Sequence, residues 1–146
     1  MYQIITPKLA KGDVVRVIAP ARSLKILSDD TRFYADKYLA DALGLKVEFS
    51  KHSKDMDEFR SSSIQDRTDD LHDAFRDPSV KAVPSVIGGY NSNQLLDHID
   101  WELIANNPKI LCGLFGYNRA RKCHICQNWY GDIFWTALHK LRSENF

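Results

Sequence analysis

Two adjacent glycines, Gly88 and Gly89, followed by Tyr90, Asn91 and Ser92, make up the segment of this chain best suited to chemistry. Glycine lets a backbone approach a ligand closely and leaves its N–H unobstructed, which is what a developing oxyanion requires. The same residues also suit a plain strand-to-helix turn, with positive φ at glycine and Asn91 or Ser92 as N-cap. The two uses are compatible.

Other constellations are weaker. Ser85 or Ser92 with His98 and Asp100 has the residue types of a nucleophilic triad, but no G-x-S-x-G elbow surrounds either serine, and a solvated histidine is expected instead. Asp66, Asp69, Asp70 and Asp73 are expected on the wet face of an amphipathic helix, not around a metal. Cys123-His124-Ile125-Cys126 has C-x-x-C spacing, and Cys112 and His139 would complete a four-ligand set. Structural zinc wants two well-spaced pairs and only one is present, so no metal is expected. A redox motif would need a preceding strand and a following helix, which are missing. Arg119, Arg121 and Lys122 beside Tyr117 and Trp129 form too small a basic patch to imply nucleic acid.

A length of 146 residues allows one domain with a core of its own. The net charge of +1 gives no electrostatic reason for nucleic acid or an anionic membrane as partner. No apolar run is long enough to span a bilayer, and Met1 to Lys11 lacks the layout of a secretory signal, so a cytoplasmic location is expected. Three cysteines, an odd number, argue against a disulfide framework.

The elements that must position the glycine loop follow from local pattern. Lys11-Gly12-Asp13 is a turn, and Val14 to Ala19 suits a strand covered on both faces. Pro20 and Ser23 open a loop at that strand's carboxyl end, where open α/β sheets collect ligands. A helix is predicted from about Ser28 to Leu43, with an apolar stripe of Phe33, Tyr34, Tyr38, Leu39 and Leu43 and a C-cap at Gly44. Leu45 to Phe49 is a second strand, and Lys51 to Ser63 a polar loop that caps the next helix. That helix runs from about Ile64 to Arg76 with Leu71, Ala74 and Phe75 inward, and Asp77-Pro78 stops it. Val80 to Ile87 is a third strand, with Pro84 a poor fit for a central position. Short helices flank Asp100, and Lys109 to Cys112 is a fourth strand. The alternation predicts an α/β class, with a mainly parallel sheet of about four strands and flanking helices.

Several of these segments together resemble the N-terminal domain of the LD-carboxypeptidase family of serine peptidases, and most closely its microcin C immunity branch. They are Lys11-Gly12-Asp13 with Ile18-Ala19-Pro20, Arg67 through Phe75 with Asp77 through Ala82, Ile87 through Leu96, Ile99-Asp100, and Asn107-Pro108-Lys109. The resemblance implies that Gly88, Gly89, Tyr90, Asn91 and Ser92 belong to the oxyanion hole and substrate cleft. It implies acyl-enzyme chemistry on serine, without cofactor, in a homodimer. Substrates would be murein tetrapeptides cleaved between L- and D-residues, or peptidyl nucleotides.

The resemblance stops at Gly113. The family continues there as G-Y-S-D-I-T-A-L with the nucleophilic serine, whereas this chain continues Leu114-Phe115-Gly116-Tyr117-Asn118. The family's histidine base and orienting glutamate lie in a C-terminal domain that this chain is expected not to reach. Leu114 to Asn118 can be written in codons that, read one base earlier, give Gly-Tyr-Ser-Asp-Ile-Thr. Trp129 and Trp135 have a single codon, and in that frame each supplies the start of a glycine codon, as the family's continuation requires. The sequence therefore predicts a domain over 1–113 and an out-of-frame tail over 114–146. No catalytic residue is expected in the chain. The reading is an inactive relative of a serine peptidase, or alternatively a non-catalytic peptide- or ligand-binding module.

Overall fold

The computed structural model describes residues 6–113. The expected tail, with Cys123, Cys126, His139 and the basic cluster from Arg119 to Lys122, lies outside the described residues.

Four strands, β1 (Val14–Val17), β2 (Lys46–Phe49), β3 (Val80–Pro84) and β4 (Ile110–Cys112), form one sheet in the order β2-β1-β3-β4. Every pairing is parallel, with Val17 beside Phe49 and Ala82 beside Ile110. This is the predicted α/β class. Successive β1 side chains point to opposite faces. Val15 joins Leu39, Leu45 and Ala82 in one core cluster, whereas Ile18 joins Leu71, Ala74, Phe75, Val80, Val83 and Ile104 in the other, with Val14 packed against it. The sheet is thus covered on both sides, which is why its strands are apolar runs with little alternation.

Helix α1 (Asp29–Lys37) begins at Ser28, whose Oγ accepts from the Thr31 N–H at 3.3 Å, and it continues into a π-helical segment, Tyr38–Ala42. The connection ends at Gly44 with φ of 66°, as the C-cap pattern predicts. The predicted apolar stripe is only partly realised. Leu39 is buried, but Phe33 and Tyr34 are 61% and 68% exposed and Leu43 is exposed as well. The π segment departs from α spacing only after Lys37, whereas Phe33 and Tyr34 lie ahead of it on α1, where apolar spacing alone does not secure burial. Phe33 and Tyr34 pack edge-to-face on each other, with centroids 5.7 Å apart.

Helix α2 (Ile64–Arg76) has the predicted bounds. Ser63 Oγ accepts from the Asp66 N–H at 3.0 Å, and Leu71, Ala74 and Phe75 face the sheet. One expectation about this helix is corrected. Asp66, Asp69 and Asp73 lie partly or fully in solvent, but Asp70 is 5% exposed. It accepts from Ser50 Oγ at 2.6 Å and from the His52 N–H at 3.1 Å, because the loop after β2 folds over it.

Pro84 is also accommodated centrally. It is the last residue of β3, its carbonyl accepts from the Ile18 N–H at 2.9 Å, and the next residue, Ser85, donates its N–H to Cys112 at 2.7 Å. Beyond it a short 3₁₀ segment (Tyr90–Leu95) and helix α3 (Trp101–Asn106), capped by Asp100 Oδ1 on the Leu103 N–H at 2.9 Å, lead to β4. Among the described residues no helix is long and apolar enough to cross a membrane.

Candidate functional site

From β1 the chain moves to β2 on one side and afterwards to β3 on the other, so the strand order reverses at β1. Loops that leave a parallel sheet on either side of such a reversal diverge and open a crevice at the carboxyl ends of the strands. Here those loops are Pro20–Ser23 after β1 and the Gly88-Gly89 segment after β3. A third loop, after β2, meets both.

The contacts among these loops are polar and specific. Asn91 Nδ2 donates to the Ala21 carbonyl at 3.2 Å and to Ser61 Oγ at 3.1 Å, while Ser61 Oγ itself donates to the Ala21 carbonyl. The Ser23 N–H donates to the Arg60 carbonyl at 2.9 Å and the Leu24 N–H to the Ser53 carbonyl at 2.8 Å. The β2 loop is held in turn by Asp57, whose Oδ1 accepts from the N–H groups of Phe59 and Ser61 at 2.9 and 3.1 Å. Arg60 within that turn has φ of 62°, a conformation that a side chain rarely takes and that the surrounding hydrogen bonds enforce.

Arg67, 3% exposed on the first turns of α2, lies beneath the junction. Its Nη1 donates to the carbonyls of Pro20 at 3.1 Å and Asn91 at 3.2 Å, its Nη2 to Gln94 Oε1 at 2.8 Å, and its Nε to the Ser63 carbonyl at 3.3 Å. Burial pushes its pKa down from the ordinary arginine value, opposed by the charge of Asp57.

Among the described residues no partner takes the N–H of Gly88 or Gly89. The expected positive φ is not found at either glycine. Gly89 is extended, with φ of −179°, and glycine is required there for space: a Cβ would lie 2.9 Å from Ala21 Cβ and 3.0 Å from Asn91 Oδ1. The capping expectation is corrected too. Gly89 itself is the N-cap of the 3₁₀ segment with no side-chain bond, and Ser92 Oγ donates back to the Gly89 carbonyl at 3.0 Å. Tyr90 is 78% exposed at the rim, while Ser92 is buried beneath it.

At the end of β4, Gly113 has φ of 148°, and a Cβ there would fall 1.8 Å from Ser85 Oγ. Ser85 is buried, and among the described residues its hydroxyl has no hydrogen-bond partner. The ends of β3 and β4 therefore meet backbone against side chain.

No triad assembles from Ser85, Ser92, His98 and Asp100. His98 is exposed in a turn, Asp100 caps α3, and the Asp100 N–H donates to His72 Nε2 at 2.9 Å. Cys112 lies in β4 and burial raises its thiol pKa. Arg67, Ser61 and Ala21 were not singled out by local pattern. The contacts by which they join the loops span 24 to 70 residues, so only the folded chain reveals them.

In a parallel α/β sheet, loops that meet at the carboxyl ends of the strands are where ligands collect, and comparison with known proteins narrows the class. Residues 15–114 match the model of the LD-carboxypeptidase N-terminal domain. The chain belongs to the LD-carboxypeptidase family. It is similar to the protein named "Putative carboxypeptidase YocD" of Bacillus subtilis (strain 168), with 49% identity over 106 residues, covering 73% of this chain and 32% of that protein. The structure of an MccF-like protein from Bacillus anthracis str. Ames superimposes with a TM-score of 0.74 and 51% identity, over 76% of this chain and 33% of that one. Microcin C7 self-immunity protein MccF of Escherichia coli, solved in complex with aspartyl sulfamoyl adenosine, matches with a TM-score of 0.66 and 28% identity, over 76% of this chain and 33% of that one. The chain thus spans about a third of the length of the relatives it matches.

Proposed function

We propose that this chain carries the ligand-facing half of an LD-carboxypeptidase site and lacks its nucleophile. The observation behind this reading is the Gly88-Gly89 segment, held at the carboxyl ends of β1 and β3 with two N–H groups that no described residue occupies. Such donors, fixed in advance, suit a carbonyl oxygen that gains charge. Gly88, Gly89, Tyr90, Asn91 and Ser92 are the residues assigned to this oxyanion and substrate cleft. In the intact family the reaction is amide hydrolysis on serine, acting on murein tetrapeptides or peptidyl nucleotides. Here Leu114-Phe115-Gly116 follow Gly113 where Tyr-Ser-Asp is expected, so the chain as given holds a ligand without forming an acyl-enzyme.

Residues 114–146 are read as an out-of-frame tail on the domain 1–113. Sequencing the coding DNA across the Gly113 codon tests this directly. A displaced frame that continues as Gly-Tyr-Ser-Asp supports it, and one that does not returns Cys123 and Cys126 to consideration as a metal or redox pair.

Binding is tested by thermal unfolding of the purified chain with aspartyl sulfamoyl adenosine or a murein tetrapeptide. A rise in Tm with either ligand, lost in Gly89→Val at a concentration where that variant is folded, is the expected result. No shift with both ligands would sink the binding role. Turnover that a serine-directed inhibitor abolishes would overturn the missing nucleophile.

A further inference from the structure

We infer that Arg67 is the positioning residue of this site: its guanidinium fixes the loops after β1 and β3 against each other and so sets the direction of the Gly88 and Gly89 amides. The inference rests on the reading of that segment as the ligand-facing one.

The geometry is unusual for a buried arginine. Taking a guanidinium out of water is costly, and the common compensation is a carboxylate. Among the described residues no carboxylate pairs with Arg67. Its four acceptors are the carbonyls of Ser63, Pro20 and Asn91 and the amide oxygen of Gln94. They come from three places in the chain: the N-cap of α2, the loop after β1, and the segment after β3. A single nitrogen, Nη1, donates to both Pro20 and Asn91.

Those two acceptors are next to the residues that confine Gly89. Pro20 precedes Ala21, and Ala21 Cβ and Asn91 Oδ1 together occupy the space that a side chain at Gly89 would need. Arg67 therefore ties together the two segments that crowd Gly89. The planar fork, with five N–H donors in fixed directions, can span such divergent acceptors, whereas the ammonium of lysine is a compact point charge at the end of a flexible stem.

Native-state amide hydrogen exchange on the unliganded chain tests this residue by residue. The N–H groups of Leu96 and His98, bonded to Asn93 and Leu95, report on the segment after β3, and those of Ile18 and Ser85, bonded to Pro84 and Cys112, report on the sheet. In Arg67→Lys the first pair should exchange at least about tenfold faster while the sheet pair is unchanged. In Arg67→Ala, low-millimolar guanidinium should restore slow exchange to the segment and leave the sheet unaffected. Acceleration of both pairs together, no acceleration of either, or no rescue by guanidinium would each refute the assignment.

If Arg67→Ala does not fold, Gln94→Met removes one acceptor without unburying the charge. It should accelerate only the segment, and an unchanged profile there overturns the proposal. Exchange needs no ligand, so a failure of ligand binding would count against the functional reading and leave this one standing. Loss of the segment-specific effect would do the reverse.

Discussion

At Gly89 the backbone is extended, so the demand for glycine comes from Ala21 Cβ and Asn91 Oδ1, which lie where a methyl group would go. Gly89→Ala should therefore cost about 1–3 kcal/mol, as overpacking does, in urea denaturation of the purified chain. A cost near zero would mean that the slot opens freely and does not hold its shape. Gly113 answers to two demands at once, a φ of 148° and the Ser85 hydroxyl. Ser85→Ala removes a buried oxygen that bonds to none of the described residues, so on its own it should be neutral or slightly stabilising. Gly113→Ala should be strongly destabilising, and combining it with Ser85→Ala should recover part of the loss. The expected coupling is about 1 kcal/mol or more in a double-mutant cycle, with the remainder due to φ. Additive effects would show that the two residues do not press on each other in solution.

The elements divide into those that declare themselves locally and those that do not. Helix α2 was legible to the residue because Ser63, the inward triplet Leu71, Ala74 and Phe75, and Asp77-Pro78 are all signals within the segment itself. Ser63→Ala should accordingly cost about 1 kcal/mol of stability, read from the same denaturation midpoint with unchanged slope. Gly88-Gly89 was legible as a loop for the same reason. The exposure of Phe33 and Tyr34 was not, since apolar spacing marks a helix face without showing that anything packs on it. Nor was the burial of Asp70, which follows from Ser50 and His52 arriving from another strand's loop. The site itself was half visible. Its glycines are a local motif, but the Arg67, Ser61 and Asn91 contacts join segments that only the sheet order brings together.

At the scale of the whole molecule, two carboxylates tie the layers together and respond to pH in opposite directions. Asp77, at the end of α2, accepts from Ser79 through Oδ1 and from Arg16 of β1 through Oδ2 at 2.7 Å, and Arg16 also reaches Glu48 of β2 at 2.8 Å. These bonds, chiefly from Ser79, lower the Asp77 pKa from 3.8 to about 2. A depressed folded-state value means that the carboxylate favours folding above the ordinary value and that this contribution disappears as the pH falls from about 4 through about 2. Asp70 is the reverse case, because burial raises its pKa above 3.8 against the pull of Ser50 and His52. Its protonated form favours the fold, so its contribution is complete below 3.8 and is lost as the pH rises through the folded value. Asp77→Asn should therefore lower Tm at neutral pH, and the gap from the unaltered chain should close as the pH approaches 2 in thermal unfolding followed by circular dichroism. For Asp70→Asn the difference should move in the other sense, with the variant gaining on the unaltered chain as the pH rises above 3.8. Two difference curves of the same sign would show that one of these carboxylates does not have the surroundings described.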